Sequence, residues 1–374
     1  MTVPFLSLAV AQQRLKSEIA SLFESFYDSG QYILGQQVRS FESEYADFSR
    51  TRFCVGVGCG LDALYLALKV LDIGSGDRVI VPANTYIATW LAVTRVHATI
   101  VPVEPDPLTY NIDPERIEAA ITEETRAILP VHLYGQACAM DEIKEIARRR
   151  GLFIVEDNAQ AHGARCGERP TGGLGTVNAT SFYPTKNLAA LGDAGAVTTD
   201  DEVLADRVRT LRNYGSNIKN HNPELGINSR LDELQAGILR IKLAVLNEWN
   251  AERTRIAGWY RDRLQDVDEL ILPHSAEAAG HVYHLYVVRT RERDRLRQHL
   301  ADRGIGTLVH YPIPPHLQPA YRQLRFRQGD FPITEELAST SLSLPLFIGM
   351  TEEQVSSVTD AVKDFVARGS RESR

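Results

Sequence analysis

Short, continuously apolar runs alternate with amphipathic stretches through the first half of this chain. Candidate strands cover residues 53–57, 78–81, 99–103, 127–131, 152–155, 180–182 and 196–198. A strand that is apolar at successive positions must be covered on both faces. The intervening segments carry helix signals. Asp113 and Pro114 read as an N-cap and first helical position ahead of Ile117 and Ile121. Residues 140–150 place Ile143, Ile146 and Ala147 on one face, and Gly151 follows as the stop. Such alternation restricts the chain to an α/β fold with a mainly parallel sheet between helical layers. Ligands in these folds gather at the carboxyl ends of the strands.

The second half reads differently. Residues 231–264 are helical in pattern without a proline, long enough at ~1.5 Å per residue to leave one domain and enter the next. Strands at 284–289 and 307–311 flank a helix at 294–303, and a proline-rich stretch follows. Two domains are expected: a large one over residues 1–245, with a short helix at 14–26, and a smaller α+β one over 246–374.

At 374 residues and 44% hydrophobic content the chain can bury a sizeable core. A net charge of −7, with only short basic runs such as Arg148-Arg149-Arg150, argues against nucleic acid as a partner. No apolar stretch reaches the ~20 residues of a membrane span, and the start lacks the basic region of a signal peptide. A cytoplasmic protein is expected. Cys54, Cys59, Cys138 and Cys166 lack metal-ligand spacing, so no metal site is expected, and reduced thiols are the default. Cys59 has no evident His or Asn partner that would make it a nucleophile.

Three features fall where a ligand would lie. Val55-Gly56-Val57-Gly58-Cys59-Gly60-Leu61-Asp62 reads as strand, glycine turn and helix start, a place for an anion. The strand Phe153-Ile154-Val155-Glu156-Asp157 ends on acids, and Gln160 and His162 follow it. Lys186 sits in Ser181-Phe182-Tyr183-Pro184-Thr185-Lys186, just past another strand. Alone, each has an ordinary reading: a common turn, a structural ion pair, a surface lysine. In this order they are the parts a pyridoxal phosphate site needs: an amine for the aldehyde, a carboxylate for the pyridine nitrogen and a phosphate cradle. Ser181 offers the phosphate a hydroxyl, and Tyr86 offers the ring an aromatic cover.

With these residues in place, the chain resembles the DegT/DnrJ/EryC1/StrS sugar aminotransferases, pyridoxal phosphate enzymes of fold type I. The resemblance runs from Val3-Pro4-Phe5-Leu6 through Val81-Pro82-Ala83-Asn84-Thr85-Tyr86, Glu156-Asp157-Asn158-Ala159-Gln160-Ala161 and Gly192-Asp193-Ala194-Gly195. It continues to Leu211-Arg212-Asn213-Tyr214-Gly215, Gly226-Ile227-Asn228-Ser229-Arg230-Leu231 and His310-Tyr311-Pro312. It implies that Lys186 forms the Schiff base and shuttles the proton, and that Asp157 pairs with the ring nitrogen. Tyr86 then stacks on the ring, and Gly58, Cys59, Gly60 and Ser181 hold the phosphate, with Gln160 also in the cofactor pocket. Asn228 reaches the cofactor of a second subunit, so the active sites are shared in a homodimer. Tyr183, Tyr214, Arg230, His310 and Tyr311 are the candidates to contact a nucleotide-linked keto sugar, with L-glutamate as amino donor.

Departures from the family pattern narrow the reading. Tyr183 stands where many members have His, Asp193-Ala194 where many have Glu-Gly, and Asn158 where a small residue is usual. The Tyr-Pro-Thr-Lys-Asn-Leu form resembles the branch acting at C3 of dTDP-3-keto-6-deoxyhexoses. A related dehydratase branch has His at the lysine position, and the lysine here favours amino transfer. Two alternatives stay open: amination at C4 of a 4-keto sugar, and a cofactor-binding regulator.

Overall fold

The computed structural model describes residues 1–275 and 280–372. Seven strands form the main sheet: β1 (Phe53–Val57), β2 (Arg78–Pro82), β3 (Thr99–Val103), β4 (Thr125–Ile128), β5 (Phe153–Asp157), β6 (Val177–Ser181) and β7 (Gly195–Thr199), in the order β1-β7-β6-β5-β4-β2-β3. Pairings from β6 through β3 are parallel, while β7 runs antiparallel to both β6 and β1. The expected mainly parallel α/β sheet is present, with an antiparallel strand inserted beside one edge. Strands expected at 127–131 and 180–182 begin earlier and end at Ile128 and Ser181.

Register brings the site's strands to a common edge. Val57 and Ser181 both pair with Gly195, and Asp157 pairs with Ala179, two residues before Ser181. The glycine turn after β1, the acid ending β5 and the lysine loop after β6 therefore emerge together.

The helix Glu233–Leu264 runs unbroken for 32 residues, roughly 50 Å. Ala236, Leu239 and Leu246 pack with Phe41 and Phe182, while Ile256, Tyr260 and Leu264 join the carboxy-terminal core. The division expected at residue 245 thus falls inside one continuous helix. Glu233 caps a neighbour as well: its carboxylate accepts the amides of Gln37 (2.8 Å) and Val38 (3.3 Å), opening Gln36–Ser49, whose own N-cap is Gly35. The amino-terminal helix Lys16–Ser29 lies against Gly237 of the long helix, where Leu22 leaves no room for a Cβ.

The carboxy-terminal part pairs β8 (Tyr286–Arg289) with β9 (Ser341–Leu344), antiparallel, beside helices Arg293–Ala301 and Glu352–Glu372. The strand expected at 307–311 is reduced to one bridge, Leu308 to Ser343. Pro312 has no amide to continue a ladder, and the His310 carbonyl instead accepts the Tyr134 hydroxyl. β9 had no counterpart in the sequence reading.

Candidate active site

Lys186 and Asp157 face one another electrostatically. Burial lowers Lys186 to about 8, and the Asp157 carboxylate opposes that shift. Burial raises Asp157, against the Ala159 amide, the Thr89 hydroxyl and the charge of Lys186. Asp157 Oδ1 accepts the Ala159 amide at 3.1 Å, and Oδ2 accepts Thr89 Oγ1 at 3.0 Å. Lys186 is carried on a tight turn, its amide donating to the Tyr183 carbonyl at 2.8 Å. The lysine's charge also depresses His162 (to about 3), His284 and His310 (to about 4), with burial the larger cause in each. The amine therefore sits among neutral imidazoles with one carboxylate.

The glycine turn has a definite shape. Cys59 is the N-cap of helix Gly60–Val70, its Sγ accepting the Asp62 amide at 3.5 Å. A Cβ at Gly60 would lie 2.4 Å from the Ser181 Cβ, and one at Gly195 would lie 2.5 Å from the Cys59 carbonyl carbon. Glycine lets the helix start and the Ser181 hydroxyl approach each other, which suits a phosphate held by both. The Gly58 amide is already engaged, donating to Ser229 Oγ at 3.0 Å.

Tyr86 and Tyr311 lie with ring centroids 5.3 Å apart. Gln160 fixes Tyr311 by donating to its hydroxyl at 3.0 Å, and its own Oε1 accepts the Tyr134 amide at 2.7 Å. His310 bonds Ser343 Oγ at 2.8 Å through Nδ1. His162 bonds the Ser181 carbonyl at 2.9 Å through Nε2, which places it under the cradle as a positioning group.

Tyr214, Asn228 and Arg230 gather on a different segment. Arg230 donates to Asn213 Oδ1 at 3.0 Å and lies over the Tyr214 ring. Asn228 is exposed, in a bridge with Asn213. Ser229 ties this segment to the glycine turn, its amide on the Arg212 carbonyl and its hydroxyl on Gly58. Tyr183, half exposed, is the remaining expected contact.

Several supports escaped the sequence reading. Thr89 lies in the first turn of helix Ile87–Arg95 and bonds Thr85, in the bend ahead of that helix, at 3.0 Å. Glu156, wholly buried, accepts His132 Nε2 at 2.7 Å and the amides of Gly172 and Leu174. Because His132 Nδ1 accepts the Cys138 amide, the Nε2 position carries the proton given to Glu156. Asn187 bridges three elements through Asn250, the Val282 carbonyl and His284. Nothing local in the sequence signals those partners.

A lysine amine lowered by burial, a buried carboxylate at the neighbouring strand end and a glycine turn beside a serine, on an α/β scaffold, are the groups a pyridoxal phosphate site needs. The chain belongs to the DegT/DnrJ/EryC1/StrS aminotransferase family, which matches it over residues 13–363. It is 49% identical to the dTDP-3-amino-3,4,6-trideoxy-alpha-D-glucose transaminase of Streptomyces venezuelae, covering 98% of this chain and 97% of that one. It is 48% identical to the dTDP-3-amino-3,6-dideoxy-alpha-D-galactopyranose transaminase of Aneurinibacillus thermoaerophilus, covering 97% and 99%. The crystal structure of S. venezuelae DesV in complex with a ketimine intermediate matches with a TM-score of 0.96 at 49% identity, over 98% of each chain.

Proposed function

We propose that this chain transfers the amino group of L-glutamate to C3 of a dTDP-linked 3-keto-6-deoxyhexose. The observation that carries the reading is the Lys186–Asp157 pair at the shared strand edge, with each group's protonation shifted by burial and opposed by the other. The likeness to two transaminases named for 3-amino dTDP sugars supports the choice of carbon.

Pyridoxal phosphate, when bound, supplies an electron-withdrawing ring that accepts the pair released from the donor's Cα. Lys186 would hold the aldehyde, and its amine, when neutral and free, would be the group that carries the proton at the substrate carbon. Burial suits it to that task, since an amine near 8 is partly unprotonated at neutral pH. Asp157, fixed by Thr89 and Ala159, would pair with the ring nitrogen and favour its protonated form. Cys59, Gly60 and Ser181 hold the phosphate, with Gly58 tied to Ser229 behind them. Tyr86 covers one ring face, and Gln160 sets the Tyr311 hydroxyl beside the pocket. Tyr183, Tyr214, Arg230 and His310 contact the sugar nucleotide.

The working unit is a homodimer in the cytoplasm. Asn228 and Leu225 are exposed on the segment at 213–230, which is consistent with reaching a second copy's site. Among the described residues no helix is long and apolar enough to cross a membrane.

The experiment combines purified protein, pyridoxal phosphate and L-glutamate with the dTDP-linked 3-keto-6-deoxyhexose and, in parallel, its 4-keto isomer, and locates the new amine by NMR. Amine at C3 supports the proposal. Amine at C4 of a 4-keto sugar instead moves the reaction along the ring. Cofactor binding without amino transfer from any donor would make the chain a regulator.

A further inference from the structure

The turn Leu133–Gly135, between β4 and helix Met140–Arg150, carries one residue in an unusual backbone state: Tyr134 sits at φ 58°, ψ 3°. Left-handed backbone is uncommon for a bulky side chain and persists where surrounding contacts over-determine it. Here they do. The Tyr134 amide donates to Gln160 Oε1 at 2.7 Å, its carbonyl accepts the Leu285 amide at 3.3 Å, and its hydroxyl donates to the His310 carbonyl. The side chain is 3% exposed and lies edge-on to Tyr110, with ring centroids 5.3 Å apart. Burial pushes the hydroxyl well above its ordinary 10, with Tyr311 adding to the rise, so it stays protonated and keeps donating.

These bonds close a loop. Gln160 Nε2 donates to the Tyr311 hydroxyl at 3.0 Å, and Tyr311 is joined by its own peptide to His310. One residue after β4 thus holds both members of the His310-Tyr311 pair, the first directly and the second through Gln160. The loop also has a direction. A backbone amide can only donate, so the Gln160 atom facing Tyr134 is its oxygen, and the atom facing Tyr311 is its amide nitrogen. The Tyr311 oxygen is therefore an acceptor toward Gln160, and among the described residues its own proton has no acceptor. Burial raises that hydroxyl above its ordinary 10 against the Gln160 bond, with Tyr86 and Asp157 adding to the rise. A protonated phenol with its donor to spare stands beside the ring-covering Tyr86, centroid to centroid 5.3 Å.

We infer that Tyr134 is a positioning residue for the acceptor: it holds the His310-Tyr311 pair so that the Tyr311 hydroxyl donates to an oxygen of the sugar. The inference rests on the aminotransferase reading above and adds to it the direction of one acceptor contact and the residue that sets it. A keto or hydroxyl oxygen fits this chemistry, since either accepts a hydrogen bond.

Single-turnover absorbance of the holoenzyme reads the two half-reactions apart, glutamate against the pyridoxal form and the dTDP-linked 3-keto-6-deoxyhexose against the pyridoxamine form. Tyr311→Phe removes the donor and should slow the sugar half-reaction about tenfold at low sugar concentration. Tyr134→Phe keeps the ring against Tyr110 and removes only the hydroxyl. It should raise the sugar concentration for half-maximal rate about fivefold and leave the glutamate half-reaction within about twofold. The two losses should not multiply: added to Tyr311→Phe, Tyr134→Phe should change the sugar half-reaction by less than about twofold. Melting temperature and the cofactor's absorbance band verify that each variant is folded and loaded. Tyr134→Phe matching the wild type, a loss that multiplies with that of Tyr311→Phe, or a parallel fall in both half-reactions overturns the positioning role. If the wild type takes an amino group from glutamate and passes it to no keto sugar, the proposed function fails, and the acceptor contact falls with it.

Discussion

Thr89 donates its hydroxyl to Asp157 Oδ2 at 3.0 Å, joining the first turn of helix Ile87–Arg95 to the end of β5. The bond favours the ionised carboxylate that burial opposes. A hydrogen bond to a charged group contributes about 1.5–3 kcal/mol. Thr89→Val should therefore weaken pyridoxal phosphate binding by about tenfold or more. Thr89→Ser keeps the hydroxyl and should bind nearly as the wild type does. Spectroscopic titration of cofactor into the cofactor-free proteins gives both constants. Equal affinities for Val and wild type would remove Thr89 from the site.

Gly60 is tested by volume rather than charge. Its added Cβ would lie 2.4 Å from the Ser181 Cβ, with the Ser181 Cα at 3.0 Å, so backbone must move. Overpacking of this kind costs about 1–3 kcal/mol, and here it displaces both proposed phosphate holders. Gly60→Ala should lower the melting temperature modestly and depress cofactor affinity about 100-fold, well beyond the stability loss. Pyridoxal, which lacks the phosphate, should bind the variant and the wild type with similar affinity.

The sheet was legible because burial on two faces leaves a mark in local composition. The runs at 53–57 and 99–103 became strands at those bounds. Strand direction leaves no such mark, and the apolar run at 196–198 reads the same whether β7 lies parallel or antiparallel. Asp157 and Lys186 stood out because one ends a strand and the other follows one, where this architecture puts its ligands. Their supports were not, since Thr89 lies 68 residues from Asp157 and Ser229 lies 171 from Gly58. The strand expected at 307–311 failed for a tertiary reason, the capture of the His310 carbonyl by Tyr134.

Glu156 yields a stability prediction with a pH signature. Burial pushes its carboxyl up, but His132 and the amides of Gly172 and Leu174 hold it below the ordinary 4.5. A folded value below the unfolded one adds stability that is complete above 4.5 and fades as pH falls through the folded value. Glu156→Gln would aim an amide donor at groups that are themselves donors. The variant should lose about 2–4 kcal/mol at pH 7 and show a shallower loss in acid. Urea unfolding from pH 3 to 7 measures both effects. A variant that keeps wild-type stability across that range would mean Glu156 is held too loosely to matter.

Lys186 gives a slope of the same sign in an alkaline window, in the cofactor-free protein, as a penalty relieved with rising pH rather than a gain lost in acid. Its folded value is about 8 against an ordinary 10.5, so folding favours the neutral amine. Between those values the unfolded chain binds more protons, and stability must rise with pH. At pH 7 the lysine imposes a penalty, at most about 3 kcal/mol at 1.36 kcal/mol per unit. Lys186→Met removes the charge and keeps much of the volume. Cofactor-free Lys186→Met should melt above the cofactor-free wild type at pH 7, and the gap should close as pH approaches 10.5. The same variant should have no steady-state transamination, because the amine that moves the proton is gone. A gap that stays constant with pH would show that packing, not charge, separates the two proteins. Full turnover by Lys186→Met would sink the assignment of the lysine itself.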